Sequence, residues 1–199
     1  MTTDIINKLK PNSIYELISE EFFFEKSHGY DYLNCNIYYE YYYAISKFYQ
    51  PSSILEIGVR FGYSLGSMIR GSDKIEFIKG IDCEALVYGV DTLKTAEANI
   101  KKYINPNVKC EFLNQDSHSI KELDRKYDLI HIDGDHSYEG KVQDLNLALD
   151  HCKVLLVDDY FFLYQVANAT NDWIMGNKHK IKSIYIVNSI RGTLVIEFI

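Results

Sequence analysis

The sequence predicts a doubly wound α/β fold: a seven-stranded, mostly parallel sheet with one antiparallel strand near the C-terminus and helices on both faces. Three observations carry this. From Ser53 onward, short apolar runs alternate with stretches of helical periodicity, the order that places a parallel sheet between helices. In one unit, the run Asp128 to Ile132 ends in Asp133-Gly134-Asp135-His136, and the run Lys153 to Val157 ends in Asp158-Asp159-Tyr160. Val142, Leu145 and Leu149 recur between them at helical spacing and predict a crossover helix over 138–151. Finally, Asn188 to Gly192 is too short to be anything but a hairpin connection, so one of the last two strands runs against the rest.

The elements follow in order. Ser13 with Glu16 three residues later is a capping-box pattern and predicts a helix from about Ile14 to Phe24. Residues 25–36 are mixed and read as loop. The tyrosine-rich segment from Ile37 predicts a helix on the sheet that Pro51 ends. Its tyrosines are expected to pack with their hydroxyls turned to solvent rather than to line an acceptor pocket. Strands are predicted at 54–57, 77–81, 108–113, 128–132, 153–157, 182–187 and 193–198. Helices are predicted at 64–70, at 91–104 with Leu93, Ala96, Ile100 and Tyr103 on one face, and at 162–174. Ser119 with Glu122 predicts a short capped helix before the fourth strand. Residues 1–50 read as a helical cap segment and 51–199 as one compact unit.

At 199 residues the chain is long enough to bury a full core, and 47% hydrophobic with 25% charged residues is ordinary for a globular protein. A net charge of -7 argues against a nucleic-acid partner, since phosphate binding needs a basic footprint. Cys35, Cys83, Cys110 and Cys152 show neither a Cys-x-x-Cys pair nor zinc spacing, which fits reduced thiols. No apolar run approaches the ~18 residues of a membrane span. The opening Met-Thr-Thr-Asp-Ile-Ile-Asn-Lys lacks the order of a secretory signal. A cytoplasmic protein without a membrane partner is expected.

The residues just past the parallel strands point to a function. Glu56, Asp82, Asp116, Asp133 and Asp158 stand at five successive strand ends, where open α/β sheets bind their ligands. The first loop, Glu56-Ile-Gly58-Val-Arg-Phe-Gly62-Tyr-Ser64, has glycines that permit close approach of a ligand, and it opens a helix whose N–H groups suit a small anion. Arg60 stands where a dinucleotide fingerprint wants a second glycine, so a pyrophosphate fits poorly. Glu56 suits an ammonium, Asp82 a ribose and Asp116 an adenine amino group. An amino acid, a ribose and an adenine in that order describe S-adenosylmethionine (SAM). Asp133, Asp135, Asp158 and Asp159 on one edge would repel one another without a cation among them, which outlines a divalent metal site.

Leu55–Ser64, Gly80-Ile-Asp82, Asp128–Glu139 and Val157–Tyr160 together make the sequence resemble the class I, Rossmann-like SAM-dependent methyltransferases. Within them it is similar to the metal-dependent small-molecule O-methyltransferases of the macrocin O-methyltransferase and cephalosporin-hydroxylase-like kind, over roughly residues 50–199. The resemblance implies a Mg²⁺, with Mn²⁺ as an alternative, held by Asp133, Asp158 and Asp159. It implies Asp135 as general base, with His136 as a second candidate for base or ligand; a loop histidine that orients the helix at 138 is the plainer role. Gly58, Gly62 and Ser64 would join Glu56, Asp82 and Asp116 around the cofactor. The family's Pro-Gly-Gly turn before the fifth strand is replaced by Asp150-His-Cys-Lys153, so the turn must be made without glycine.

The acceptor implied is a small hydroxyl compound, such as a sugar or polyphenolic product with neighbouring oxygens. Rival readings are a metal-independent SAM-dependent N-methyltransferase, a non-catalytic SAM-binding protein, and a phosphohydrolase of the haloacid dehalogenase kind. The last would need its Asp-x-Asp loop after the first strand. A homodimer formed through the first fifty residues is carried as an expectation.

Overall fold

The computed structural model of the chain describes residues 3–23, 35–83, 85–87, 89–189 and 191–199. Nine strands are described: β1 (Ser53–Ile57), β2 (Phe77–Asp82), β3 (Leu86–Val87), β4 (Val90–Asp91), β5 (Lys109–Asn114), β6 (Tyr127–Ile132), β7 (Cys152–Val157), β8 (Ile181–Val187) and β9 (Thr193–Phe198). The helices are α1 (Thr3–Leu9), α2 (Cys35–Tyr49), α3 (Tyr63–Gly71), α4 (Thr92–Asn99), α5 (Tyr138–Ala148) and α6 (Tyr164–Asn177). Seven strands form the sheet in the order β5-β2-β1-β6-β7-β9-β8, and only β9 runs against its neighbours. β3 and β4 make a separate small hairpin around Gly89. With two residues per strand, it is too short to show any periodicity in the sequence.

Central strands of a parallel sheet are covered on both faces, and these are apolar on both. Ile54, Ile78, Leu129, Leu156 and Val195 face a core shared with α2, α3 and α4. Leu55, Ile57, Ile130, Ile132, Leu155 and Val157 face a second core with Leu145 of α5 and Val166 and Trp173 of α6. Chain order reverses between β1 and β6. The two loops leaving these strands meet there: the Asp133 amide donates to the Ile57 carbonyl at 2.8 Å.

Several expectations need correction. No continuous helix spans Ile14 onward; Ser13 accepts from the Tyr15 amide at 3.2 Å and starts a single 3₁₀ turn, Ile14–Glu16, followed by another at Glu20–Phe22. The Ser19 hydroxyl bonds the Glu21 carboxylate instead of continuing a helix, and Ile14, Ile18, Phe22 and Phe23 are pulled individually into the core. Phe24 and most of the 25–36 loop lie outside the described residues, while 35 and 36 already belong to α2. Ser119 opens no helix; Asp116 instead caps the 3₁₀ turn Ser117–Ser119 through the His118 amide.

The tyrosine expectation also fails at its centre. Tyr42 is fully buried, its hydroxyl 3.1 Å from that of Tyr38 and 3.4 Å from Thr193 Oγ1. The turn lacking glycine is made by Asp150 at φ +65°, a conformation Asp tolerates. Finally, α5 is rotated from the predicted face. It buries Lys141, Asp144, Leu145 and Ala148 and leaves Val142 and Leu149 half-covered.

Gly58 fixes the meeting of the two loops. Its φ is +87°, and a Cβ there would lie 2.2 Å from the Asp133 carbonyl oxygen. Gly58→Ala is therefore expected to cost about 1–3 kcal/mol or more. Urea melts check this; a loss under about 0.5 kcal/mol would contradict the close approach.

Candidate active site

At this reversal point a cleft of about 580 Å³ opens on the carboxyl ends of the strands. Its walls bring together Gly58, Asp82, Asp116, Asp133, Asp135 and His136 from the predicted set, and add Arg60, His118 and Arg191. Asp82 braces the first loop by accepting from the Arg60 main-chain N–H. Asp116 and His118 stand on the β5 side of the cleft, and the His118 imidazole points back to the buried Asp144, with Nε2 3.5 Å from Oδ1. Asp144 also accepts from Ser117 at 2.6 Å.

The metal-binding expectation is changed in its membership. One donor atom from each of Asp133, His136 and Asp159 lies within 4.8 Å of the others, and Asp158 is not in the group. His136 Nε2 sits 3.3 Å from Asp133 Oδ1 and 3.5 Å from Asp159 Oδ2. Strand alternation explains the exclusion. Val154 and Leu156 face the α2 side of the sheet, and Asp158, two residues on, continues that side. It is wholly buried, its carboxylate oxygens reach no partner in good hydrogen-bond geometry among the described residues, and the Asp159 amide and the Thr193 hydroxyl stand close enough to favour its charge. Asp159 leaves the strand at φ +57° and is aimed along the edge instead.

The same alternation corrects Glu56. Like Ile54 it faces α2 and α3, is fully buried, and does not line the cleft. Its Oε1 lies 2.7 Å from His131 Nδ1 and accepts from Ser64, while Oε2 is unpartnered among the described residues. Glu56, Ser64 and His131 thus form a buried brace under the first loop, with the Tyr42 ring 4.7 Å from that of His131. Gly62, at φ +77°, packs against Ala96 of α4 and does not line the cleft either.

The two base candidates are set in different environments. Asp135 accepts from the Ser137 amide at 2.8 Å, which holds its carboxyl below the usual range and commits it to the start of α5. The bond to Asp133 raises the His136 imidazole above its ordinary value, burial opposes this, and Asp159 adds to it. Arg191 borders the group with Nη1 3.4 Å from Asp159 Oδ1, and lies over the rings of Phe162 and Tyr38. Sequence spacing gave no signal for Arg191, which the β8–β9 hairpin delivers from the far end of the chain.

A family model described as a methyltransferase domain matches residues 55–160, more than half of the chain. The chain belongs to this family. No curated protein matches the methyltransferase. Among solved structures it is similar to the SAH-bound methyltransferase PaMTH1 of Podospora anserina, with 19% identity, 82% of this chain and 79% of that one covered, and a TM-score of 0.60. It is similar to the O-methyltransferase from Bacillus cereus in complex with SAH, with 18% identity, 80% of each chain covered and a TM-score of 0.56. TomG from Streptomyces achromogenes, involved in tomaymycin synthesis and solved with SAM, aligns at 12% identity over 82% of this chain and 80% of that one, with a TM-score of 0.61. At these identities the likeness carries the fold. Among the described residues no helix is long and apolar enough to cross a membrane.

Burial raises the carboxyl pKa of Asp158, Asp159, Glu56 and Asp144 in the folded methyltransferase. A raised carboxyl contributes stability below its unfolded value of about 4, and that contribution is lost as pH rises through the folded value. His136 acts in the same direction, its contribution present below about 6.5 and lost above its raised value. In EDTA the protein should therefore melt at a lower temperature near pH 8 than near pH 5.5, and Asp158→Asn should flatten the difference. Calorimetry across this range checks it; a melting temperature that rises toward about pH 8 would overturn the assignment.

Proposed function

We propose that this methyltransferase transfers the methyl group of SAM to a hydroxyl of a small molecule, at a cation-binding centre made of Asp133, His136 and Asp159. The observation that carries this reading is the convergence of those three donors at the reversal point of the sheet, beside a cleft of the size that holds small ligands. One donor atom from each lies within 4.8 Å of the others, and two carboxylates with an imidazole are a chemically suitable donor set. The imidazole nitrogen favours Mn²⁺ over Mg²⁺ relative to an all-oxygen set. When bound, such an ion lowers the pKa of an acceptor hydroxyl and fixes its direction.

The remaining roles belong to the chain. The cleft wall at Asp82 and Asp116 offers acceptors for ribose and adenine groups, and the Gly58 loop lets a ligand approach the main chain. Asp133 and Asp159 hold the His136 ring through Nε2; with that nitrogen on an ion the other carries the ring proton, so His136 is then a ligand and not the base. Asp135, on the cleft wall and capping α5 through one oxygen, is the acid left to take the acceptor's proton when the ion is bound. Most of the rate gain is assigned to positioning, since aligned reactants reach effective molarities of roughly 10⁵–10⁸ M. The finer likeness to macrocin O-methyltransferases, with a sugar or polyphenolic acceptor, belongs to this proposal, as do a cytoplasmic location and a homodimer.

One observation favours a second reading. Arg191 reaches Asp159, and His136 already bridges the two acids, so the centre has positive charge of its own. In that case Arg191 supplies the positive charge and His136 in its neutral form, its Nε2–H turned to the two acids, acts as base without a metal, on an oxygen or a nitrogen acceptor. Methyl transfer that survives exhaustive EDTA treatment would select this reading.

Asp133→Ala and His136→Ala should each lower kcat by roughly 10²-fold or more while SAM affinity changes less than about threefold. SAM-consumption assays over sugars, glycosides and phenols, paired with isothermal titration of SAM, read both quantities. Loss of SAM binding in step with activity would move these residues out of the reaction centre and into the cofactor pocket.

A further inference from the structure

Lys141 is a fully buried lysine on the first turns of α5, and its ammonium nitrogen has no hydrogen-bond partner among the described residues. An isolated buried ammonium is costly, so such a group is found only where something compensates it. Burial pulls its pKa below the usual lysine value, and the carboxylates of Asp133, Asp144, Asp159 and Asp135 oppose this through space, Asp133 most strongly. The geometry of the acidic loop agrees. Gly134 rides directly over Asp144, whose Oδ2 would lie 3.0 Å from a Cβ at that glycine. Asp144 shares the buried face of α5 with Lys141, and its Oδ2 is unpartnered as well. Asp135 is packed against Gly140, immediately before Lys141, where a Cβ would meet its carboxylate at 2.1 Å. The loop carrying Asp133 and Asp135 therefore lies on the buried face of α5, over Asp144 and against the residue that precedes Lys141.

We propose that Lys141 is a positioning residue, a fixed cation under the acidic loop that holds Asp133 and Asp159 together before any ligand arrives and competes with a divalent ion for their charge. It supplies positive charge to a rim that gathers Asp133, Asp135, Asp144 and Asp159. Its ammonium is roofed by protein, so it cannot itself touch an acceptor in the cleft. What it sets is the spacing of the carboxylates and the strength with which they hold an added ion. Part of this rests on the cation-centre reading above, and part does not, so the two can be tested apart.

The first arm uses no metal. Thermal melts in EDTA are compared for the wild-type protein, Lys141→Met, Asp133→Asn and the double variant. Lys141→Met keeps the length and apolar packing of the side chain and removes its charge. If the ammonium neutralises Asp133, Lys141→Met lowers the melting temperature less in the Asp133→Asn background, by about 2–4 °C or more. Equal losses in both backgrounds would make Lys141 a packing residue and overturn the proposal. Should Lys141→Met not fold in EDTA, Lys141→Gln carries the same cycle.

The second arm titrates Mn²⁺ and reads the free ion by electron paramagnetic resonance. Removing a like charge beside the ion should tighten binding roughly tenfold or more in Lys141→Met. Unchanged or weaker affinity would overturn the competition. Mn²⁺ binding to neither protein, with coupling still present in EDTA, would sink the metal reading and leave Lys141 as the cation of the rim.

Discussion

The site depends on one close approach. Gly58, leaving β1, lies against the main chain of Asp133, leaving β6, and no side chain larger than hydrogen fits between them. These are the adjacent strands at which the order of the sheet reverses, so the loops diverge on either side and open the cleft. The contact fixes where the Asp133–His136 loop sits relative to the first loop. Asp159 is then brought in by β7, the next strand along, and Arg191 by the hairpin that follows β8.

The electrostatic cost of this arrangement is visible throughout the surrounding core. Asp158 and Glu56 are wholly buried with unpartnered oxygens, and burial pushes both carboxyls toward the protonated form. Around Asp133 and Asp159 the chain supplies three positive or protonatable groups, His136, Arg191 and Lys141, each from a different element. A rim built this way holds acids at separations that free carboxylates would resist, and it can exchange part of its own positive charge for that of a ligand.

Much of this was legible from residue order. Strand–helix alternation gave the sheet, and the short Asn188–Gly192 connection gave its antiparallel strand. Acids at the strand ends located the cleft. What could not be read was which way each acid points. Glu56 and Asp158 sit in phase with the side of the sheet under α2, whereas Asp159 escapes that phase by a left-handed backbone turn. Lys141 and Asp144 were hidden for a related reason: Val142, Leu145 and Leu149 suggested an apolar stripe, and packing turned the helix toward the charged pair. Two charged residues at helical spacing beside a buried leucine are, in retrospect, the local signal. Arg191 had none, because only the pairing of β8 with β9 carries it to the site.

The most direct test of the account is a crystal structure of the protein with SAH and Mn²⁺, using anomalous scattering to locate the ion. The account predicts SAH in the cleft along Gly58, Asp82 and Asp116, and one manganese peak among Asp133, His136 and Asp159. SAH bound away from that cleft, or manganese seated on other residues while this group stays bridged by His136 and Arg191, would contradict it.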